Sequence, residues 1–331
     1  MKTDKKTQRD SNPYKFTDSN KRYFTYDYYL RREFGGKSAK IPIDAGFTCP
    51  NIDGRCGVGG CIYCSARGSG DFAESARLSV REQYEITRSK LSSKWSTERC
   101  IAYFQAHTNT YAPTAVLREK FEEALKLPGV VGLNVATRAD CLEASTVEYL
   151  AELAERTVLC VELGLQSSND ATAELINRGH DFAAFCDGFA RLRAASDKIN
   201  ICVHIILGLP GESREDMLRT VTDVASLAPD QVKIHLLHVL RGTALADMYE
   251  SGEYVPLERE AYVSLVADAI ERLPEDTVVA RVTGDGMADD LLAPLWSIKK
   301  VSVINDIDKE LFRRDSYQGV LFDDTASAAK N

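Results

Sequence analysis

Apolar and amphipathic stretches alternate along most of the chain. The apolar runs predict six β-strands, at residues 40–47, 99–106, 130–137, 157–166, 199–210 and 231–240. The amphipathic stretches predict helices near 72–94, 114–126, 145–155, 169–195 and 213–227, with Ser145, Asp170 and Ser213 as caps or first-turn residues. Near-continuous apolar runs are typical of parallel strands covered by helices, so the pattern predicts a parallel sheet.

The order of these elements predicts an α/β fold with right-handed crossovers, either doubly wound or curved into a barrel. In both architectures the chemistry lies at the carboxyl ends of the strands, so we expect the segments that follow the strands to converge. The pattern also divides the chain into three regions: a basic, aromatic N-terminal segment (1–40), a core (41–241), and a C-terminal extension (242–331) with a helix near 258–272 and frayed last residues.

The composition is that of a soluble globular protein. Apolar residues make up 44% of the 331 residues and charged residues 27%, and no apolar run approaches the ~20 residues that a membrane span needs. The first ten residues lack the apolar region of a secretory signal, so we expect a cytoplasmic protein. In that compartment thiols stay reduced, which argues against disulfides; Cys100, Cys141, Cys160, Cys186 and Cys202 are expected to be small core residues.

The net charge of −8 is unevenly distributed. Residues 1–40 contain eleven Lys or Arg against five Asp or Glu, a net of +6, which leaves −14 for the remainder. The same segment contains eight aromatic residues. This mixture is typical of a nucleic-acid interface, because it offers both phosphate neutralisation and base stacking. The alternative is a basic tail followed by aromatic residues that dock on the main domain.

Four cysteines lie within sixteen residues in the glycine-rich loop TCPNIDGRCGVGGCIYC (48–64), namely Cys49, Cys56, Cys61 and Cys64. The C-x-x-C pair can hold two thiolates on one metal or cluster. A structural zinc site needs a second such pair or two histidines, and none follows nearby. Three thiols with pliable glycine backbone favour a [4Fe–4S] cluster with one open iron, while zinc or no metal remain alternatives.

Two other motifs contain residue types that are found in metal sites or phosphate-binding loops. His235 and His238 are three residues apart on a predicted strand, so they are expected to point to opposite faces and to make a poor joint metal site. The Gly-Asp-Gly sequence at 284–286 is expected to be a turn rather than a phosphate-binding loop.

The cysteine loop resembles the cluster loop of a radical S-adenosylmethionine (SAM) family, the YhcC/YtqA-like proteins, with a C-x11-C-x2-C spacing. The resemblance continues in order through AYFQAHTNTYAP, VATRADCL, VELGLQS, INRGHD, ILGLPGE, HLLHVLRGTALADMYESGEY, RVTGDG and LLAPLWSIKK, over roughly residues 22 to 312. The family looks related to the Elongator catalytic subunit and to oxygen-independent coproporphyrinogen oxidases. The resemblance implies a partial (βα)6 radical SAM barrel.

The resemblance also implies functional residues. Cys49, Cys61 and Cys64 match the three cluster ligands, whereas Cys56 occupies a position that is usually not cysteine and is expected to be a bystander. Eight residues match SAM-contacting positions or replace them: Tyr63, Gln105, His107, Thr108, Glu162, Gln166, Arg178 and His204. For each, a structural role in packing or ion pairing is the alternative. Cleavage of SAM would give methionine and a 5′-deoxyadenosyl radical, with an electron from a donor such as flavodoxin or ferredoxin.

The resemblance also implies a class of substrate. Relatives of the Elongator type modify the wobble uridine of tRNA, so tRNA is the expected partner. The acidic remainder of the chain argues against strong phosphate binding. A radical SAM enzyme for a small molecule or peptide is one alternative, and a non-catalytic iron–sulfur or zinc binding module is another.

Overall fold

A seven-stranded parallel sheet curls into a half-barrel at the centre of the protein. The structure, a computed structural model, describes residues 13–323 except 69, 94, 285 and 287. The sheet order is β1-β2-β3-β4-β5-β6-β8, and β7 pairs with β9 in a small antiparallel ribbon. The strands are β1 Ala39–Ile43, β2 Cys100–Phe104, β3 Val130–Thr137, β4 Val158–Gln166, β5 Ile199–Leu207, β6 Gln231–Leu236, β7 Val239–Leu240, β8 Val278–Arg281 and β9 Leu291–Ala293.

Helices cover the convex side of the sheet. They are α1 Tyr26–Phe34, α2 Val80–Ser92, α3 Thr114–Leu125, α4 Ala144–Ala154, α5 Asp170–Leu175, α6 Phe182–Ala195, α7 Arg214–Ser226, α8 Ala244–Glu250, α9 Arg259–Arg272 and α10 Lys300–Arg313. Ser213 caps α7 in a reciprocal capping box with Asp216, as its position before an amphipathic stretch predicts. The expected α/β fold and all six predicted strands are confirmed.

Two expectations about the elements were wrong. The single helix predicted at 169–195 is two helices, because Asn177 and Gly179 adopt positive φ values of 54° and 78° and interrupt the helical path. A seventh strand, β8, was not predicted, and it pairs in parallel with β6. The sheet therefore continues past residue 241, and the boundary between core and extension at that residue stays a prediction.

Alternation along the strands separates the packing face of the sheet from its concave face. On β4, Leu159, Val161 and Leu163 are fully buried in the main apolar core. Glu162 is also buried, and its alternate position places it on the other face. The concave face therefore carries polar side chains that the helices do not cover. No helix among the described residues is long and apolar enough to cross a membrane.

The described part of the N-terminal segment docks on the sheet and on the C-terminal region. Phe16 and Phe24 are buried against Val278 of β8, and the Val279 amide donates to the Phe24 carbonyl at 2.8 Å. The basic side chains form ion pairs within the protein: Lys21 with Asp308, Arg22 with Asp315, and Arg31 with Asp18. These contacts favour the docking interpretation for residues 13–34, while residues 1–12 lie outside the described part of the chain.

Replacing Arg22 with methionine is expected to lower the free energy of unfolding by about 1–3 kcal/mol. Its guanidinium, 15% exposed, donates to the Tyr14 hydroxyl at 3.1 Å, to Asp315 at 3.1 Å and to the Ser316 carbonyl at 3.2 Å. Urea unfolding would measure the loss, and Lys37→Met, at an exposed position, serves as the control. A variant with unchanged stability but weaker RNA binding would contradict the docking role.

Candidate functional site

A cavity of about 270 Å³ lies at the carboxyl ends of the strands. Its walls come from the loop after β1 and from the segments that end or follow β2 to β6 and β8. The eleven residues that the sequence assigns to the cluster or to SAM all line it: Cys49, Cys61, Tyr63, Cys64, Gln105, His107, Thr108, Glu162, Gln166, Arg178 and His204. The expectation that the strand ends converge is therefore confirmed, whereas the role of each residue stays a prediction.

Tight turns bring the three cysteines to the cavity wall. Gly59 and Gly60 have consecutive positive φ values of 80° and 78°, a backbone conformation that residues with a side chain rarely adopt. Cys61 follows directly. The Cys64 amide donates to the Cys61 carbonyl at 2.9 Å, which holds these two thiols on one turn. The Ile52 amide closes a similar turn onto the Cys49 carbonyl at 2.8 Å.

Two asparagines connect the cysteine loop to the turn between α5 and α6. Asn177 donates its side-chain amide to the Gly60 carbonyl at 2.7 Å and to the Val58 carbonyl at 3.1 Å. In return, the Asn51 amide donates to the Asn177 carbonyl and lies 3.7 Å from the Cys61 sulfur. The loop is thus held by side-chain hydrogen bonds rather than by regular secondary structure.

Cys56 lies apart from the other three thiols. It is exposed, does not line the cavity, and its sulfur lies 4.0 Å from an Asp140 carboxylate oxygen. The position agrees with the expected bystander role, which stays a prediction.

Several polar atoms in the cavity wall are shielded from solvent and lack a protein partner among the described residues. They include Gln105 Nε2, His107 Nδ1 and Arg178 Nε. His107 has a positive φ of 56°, and a side chain at Gly68 would collide with its ring, since an added Cβ would lie 2.2 Å from Nδ1. Unpartnered buried groups of this kind indicate a polar ligand.

Family comparisons identify the type of site. The model of the Radical SAM superfamily matches residues 52–224, and that of the Radical SAM C-terminal domain matches residues 229–313. The chain belongs to the radical SAM superfamily. YtqA of Bacillus subtilis (strain 168) is 48% identical over 312 residues, which cover 94% of this chain and 96% of YtqA.

Two more distant similarities extend this result for the radical SAM enzyme. A tRNA uridine(34) acetyltransferase of Dehalococcoides mccartyi is 29% identical over 158 residues, 47% of this chain and 33% of that protein. The solved structure of the archaeal Methanocaldococcus infernus Elp3 superposes with a TM-score of 0.65 at 19% identity, over 85% of this chain and 64% of that one. The latter similarity establishes the shared fold.

The residues present fit a radical SAM cluster. Cys49, Cys61 and Cys64 line the same cavity, and burial, together with the neighbouring thiols of Cys61 and Cys49, raises the pKa of Cys64 to about 12. No three His, Cys, Asp or Glu side chains in the described part of the chain are arranged around a single metal ion. A cubane cluster differs from a single ion because each thiolate binds its own iron, which spreads the three sulfurs apart.

Glu162 is saturated by protein partners. Its Oε1 accepts from Lys40 at 3.1 Å and from Asn134 at 2.7 Å. Its Oε2 accepts from the Tyr103 hydroxyl at 2.7 Å, from His204 Nε2 at 3.0 Å and from Lys233. The carboxylate therefore holds the base of the cavity together, and its contacts favour the structural alternative over the predicted SAM contact.

Glu162 is the carboxylate that pairs with both lysines of this network, Lys40 and Lys233. Burial alone would raise the pKa of Glu162, but Lys233 and Lys40 hold it well below its ordinary value. Burial lowers the pKa of Lys233 to about 8 in spite of the carboxylate. Since a carboxylate can only accept, His204 must carry its proton on Nε2.

One expectation about the histidines was wrong. His235 and His238 do not face opposite sides of a strand, because β6 ends at Leu236 and the chain turns before β7 begins at Val239. Both side chains line the cavity. The Gly-Asp-Gly segment lies beside them, and Asp285 is outside the described residues, so its predicted turn stays a prediction.

Proposed function

We propose that this radical SAM enzyme binds a [4Fe–4S] cluster through Cys49, Cys61 and Cys64, and cleaves SAM. When bound, the two cofactors supply a 5′-deoxyadenosyl radical, with an electron from a donor such as flavodoxin or ferredoxin. The chain's own residues position SAM, exclude water and present the substrate. The observation that carries the proposal is the convergence of three thiols and several unpartnered polar groups on one shielded cavity.

Two of the predicted SAM contacts are suited to its charged end. Arg178 is buried and donates to the Gly164 carbonyl, which fixes the guanidinium while leaving Nε without a partner among the described residues. A guanidinium can bind the methionyl carboxylate through paired hydrogen bonds. Gln105 lines the same cavity, and its side-chain Nε2, a donor without a partner among the described residues, can add a hydrogen bond to the same carboxylate.

The wobble uridine of tRNA is the substrate that we propose. The similarity to a tRNA uridine(34) acetyltransferase supports it, as does the fold shared with an Elp3. A base in an anticodon loop can leave its stack and enter a protein cavity, which a base within a duplex cannot do at low cost. The cytoplasm, where tRNA is modified, is the proposed location.

Anaerobically purified protein is expected to contain about four irons and four sulfides, to absorb broadly near ~400 nm, and to release 5′-deoxyadenosine from SAM under reduction. Stoichiometric zinc without labile sulfide would contradict the cluster. The substrate is tested separately, by comparing modified nucleosides in tRNA from a deletion strain and its parent. Unchanged nucleosides, with 5′-deoxyadenosine still formed, would redirect the search to a small molecule or peptide.

A further inference from the structure

Two histidines that the proposed cofactor contacts leave unused lie in the cavity wall formed by β6 and β8. Nε2 of His235 and Nε2 of His238 are both inaccessible to solvent and have no hydrogen-bond partner among the described residues. The His235 ring packs against the ring of His204 with centroids 5.1 Å apart. A buried nitrogen without a hydrogen-bond partner is unfavourable, so both atoms indicate a ligand that satisfies them.

Two glycines that follow β8 pack closely against the ring of His238. A Cβ added at Gly284 would lie 2.6 Å from Cε1 and 2.7 Å from Nε2 of His238. A Cβ added at Gly286 would lie 2.8 Å from Nδ1 of the same ring. Only glycine allows the backbone to approach the imidazole so closely. Gly284 and Gly286 therefore support the His238 ring in the cavity wall.

The surroundings keep both imidazoles neutral. Burial, together with the nearby Lys300 and Arg281, lowers the pKa of His238 to about 4. Burial also places the pKa of His235 well below its ordinary value, again aided by Arg281. A neutral imidazole offers one donor and one acceptor. Two such rings can match a ligand edge that presents both a carbonyl oxygen and an N–H.

Lys233, which lines this wall, is engaged by protein groups. Lys233 donates to Glu162 and lies 3.2 Å from the Tyr103 hydroxyl. The unpartnered nitrogens of His235 and His238 belong to uncharged imidazoles. An uncharged planar edge, such as the imide of a pyrimidine base, supplies uncharged hydrogen-bonding partners for them.

We propose that His235 and His238 determine substrate specificity by binding the uncharged C=O/N–H edge of the substrate's pyrimidine base through their Nε2 atoms. The inference rests on the proposed function, because it assumes that a base enters the cavity. It assigns the β6–β8 wall to the substrate, whereas the cysteine loop and the turn after β2 are assigned to the cofactors. Reading a base by its pairing edge is the usual mode for unpaired RNA.

The test uses the reconstituted protein with cluster and SAM, and two anticodon stem-loop RNAs that carry either uridine or 3-methyluridine at the wobble position. The methyl group removes the N3–H, so it should weaken binding to the parent protein about 5- to 100-fold. In His235→Phe and His238→Phe this discrimination should fall toward onefold. His180→Phe is the matched control, because His180 Nε2 is also unpartnered among the described residues but the side chain does not line the cavity.

Each result separates the inference from the proposed function. Equal affinity of the parent protein for the two RNAs would overturn the inference, whether or not the variants fold. Full discrimination in both His→Phe variants, with tRNA still modified, would overturn it while leaving the proposed function intact. Binding of neither RNA, together with unchanged tRNA nucleosides in a deletion strain, would overturn both.

Discussion

Alanine at Cys49, Cys61 or Cys64 is expected to abolish cluster binding and 5′-deoxyadenosine formation together. Each substitution removes a thiolate ligand on the cavity wall that solvent cannot replace. The three cysteines would hold three irons of the cluster and leave the fourth iron open for SAM. Iron and sulfide content after anaerobic reconstitution, measured with the rate of 5′-deoxyadenosine release, checks the expectation. We expect losses of at least tenfold in both quantities for each of the three variants.

Cys56→Ser is the matched control for this experiment. Its thiol is exposed on the same loop and lies outside the cavity, so both measured quantities should stay near those of the parent protein. The alternative is that Cys56 and Cys49 compete for the same iron, because both precede the C-x-x-C pair and glycines make the loop pliable. A Cys56→Ser protein without cluster, beside a Cys49→Ala protein that retains one, would show that Cys56 is the first ligand.

Replacing Glu162 with glutamine is expected to cost about 3–5 kcal/mol of unfolding free energy, the second large effect. The substitution leaves the ammonium groups of Lys40 and Lys233 in the half-barrel without their carboxylate, whose side chain has no exposed surface. Urea unfolding at neutral pH measures the loss. Glu119→Gln, at an exposed position, should change stability by less than about 0.5 kcal/mol.

The pH dependence of stability provides a further check on this network. The folded pKa of Glu162 lies well below the ordinary value of 4.5, so its stabilisation is present above that value and is lost as the pH falls through the folded pKa. The difference between the parent protein and Glu162→Gln should therefore shrink in acid. Lys233 acts in the opposite range: its pKa falls from 10.5 to about 8, so the unfolded chain binds more protons in that window and stability gains with rising pH. A pH-independent difference for Glu162→Gln would contradict its charged role.

The strands were predictable because their apolar runs are long and continuous. β8 was not predicted, because a strand of four residues that ends at Arg281 is too short to show an apolar pattern. The break at Asn177 was missed because a left-handed asparagine within an amphipathic stretch leaves no periodic signal. Local pattern thus predicted the sheet, whereas the interruptions depended on backbone conformations that periodicity does not encode.

The cavity residues were predictable for a different reason. Parallel strands carry their carboxyl ends to one edge, so polar residues at those ends had to meet. The partners of Glu162 were missed, although a signal existed: Tyr103, Asn134 and Lys233 each interrupt an apolar strand. The sequence indicates that a polar residue within an apolar strand needs a hydrogen-bond partner. Which residue is that partner depends on the register between strands, which only the structure provides.

The paired asparagines that join the cysteine loop to the α5–α6 turn have a consequence for how the cofactors load. Arg178, a proposed SAM contact, directly follows Asn177, whose amide holds the carbonyl beside Cys61. A cluster that immobilises the loop would therefore immobilise the arginine as well, and would remove part of the entropy that SAM must otherwise lose on binding. Coupling of this kind is reciprocal in free energy, so bound SAM would in turn strengthen the binding of the cluster by the same factor.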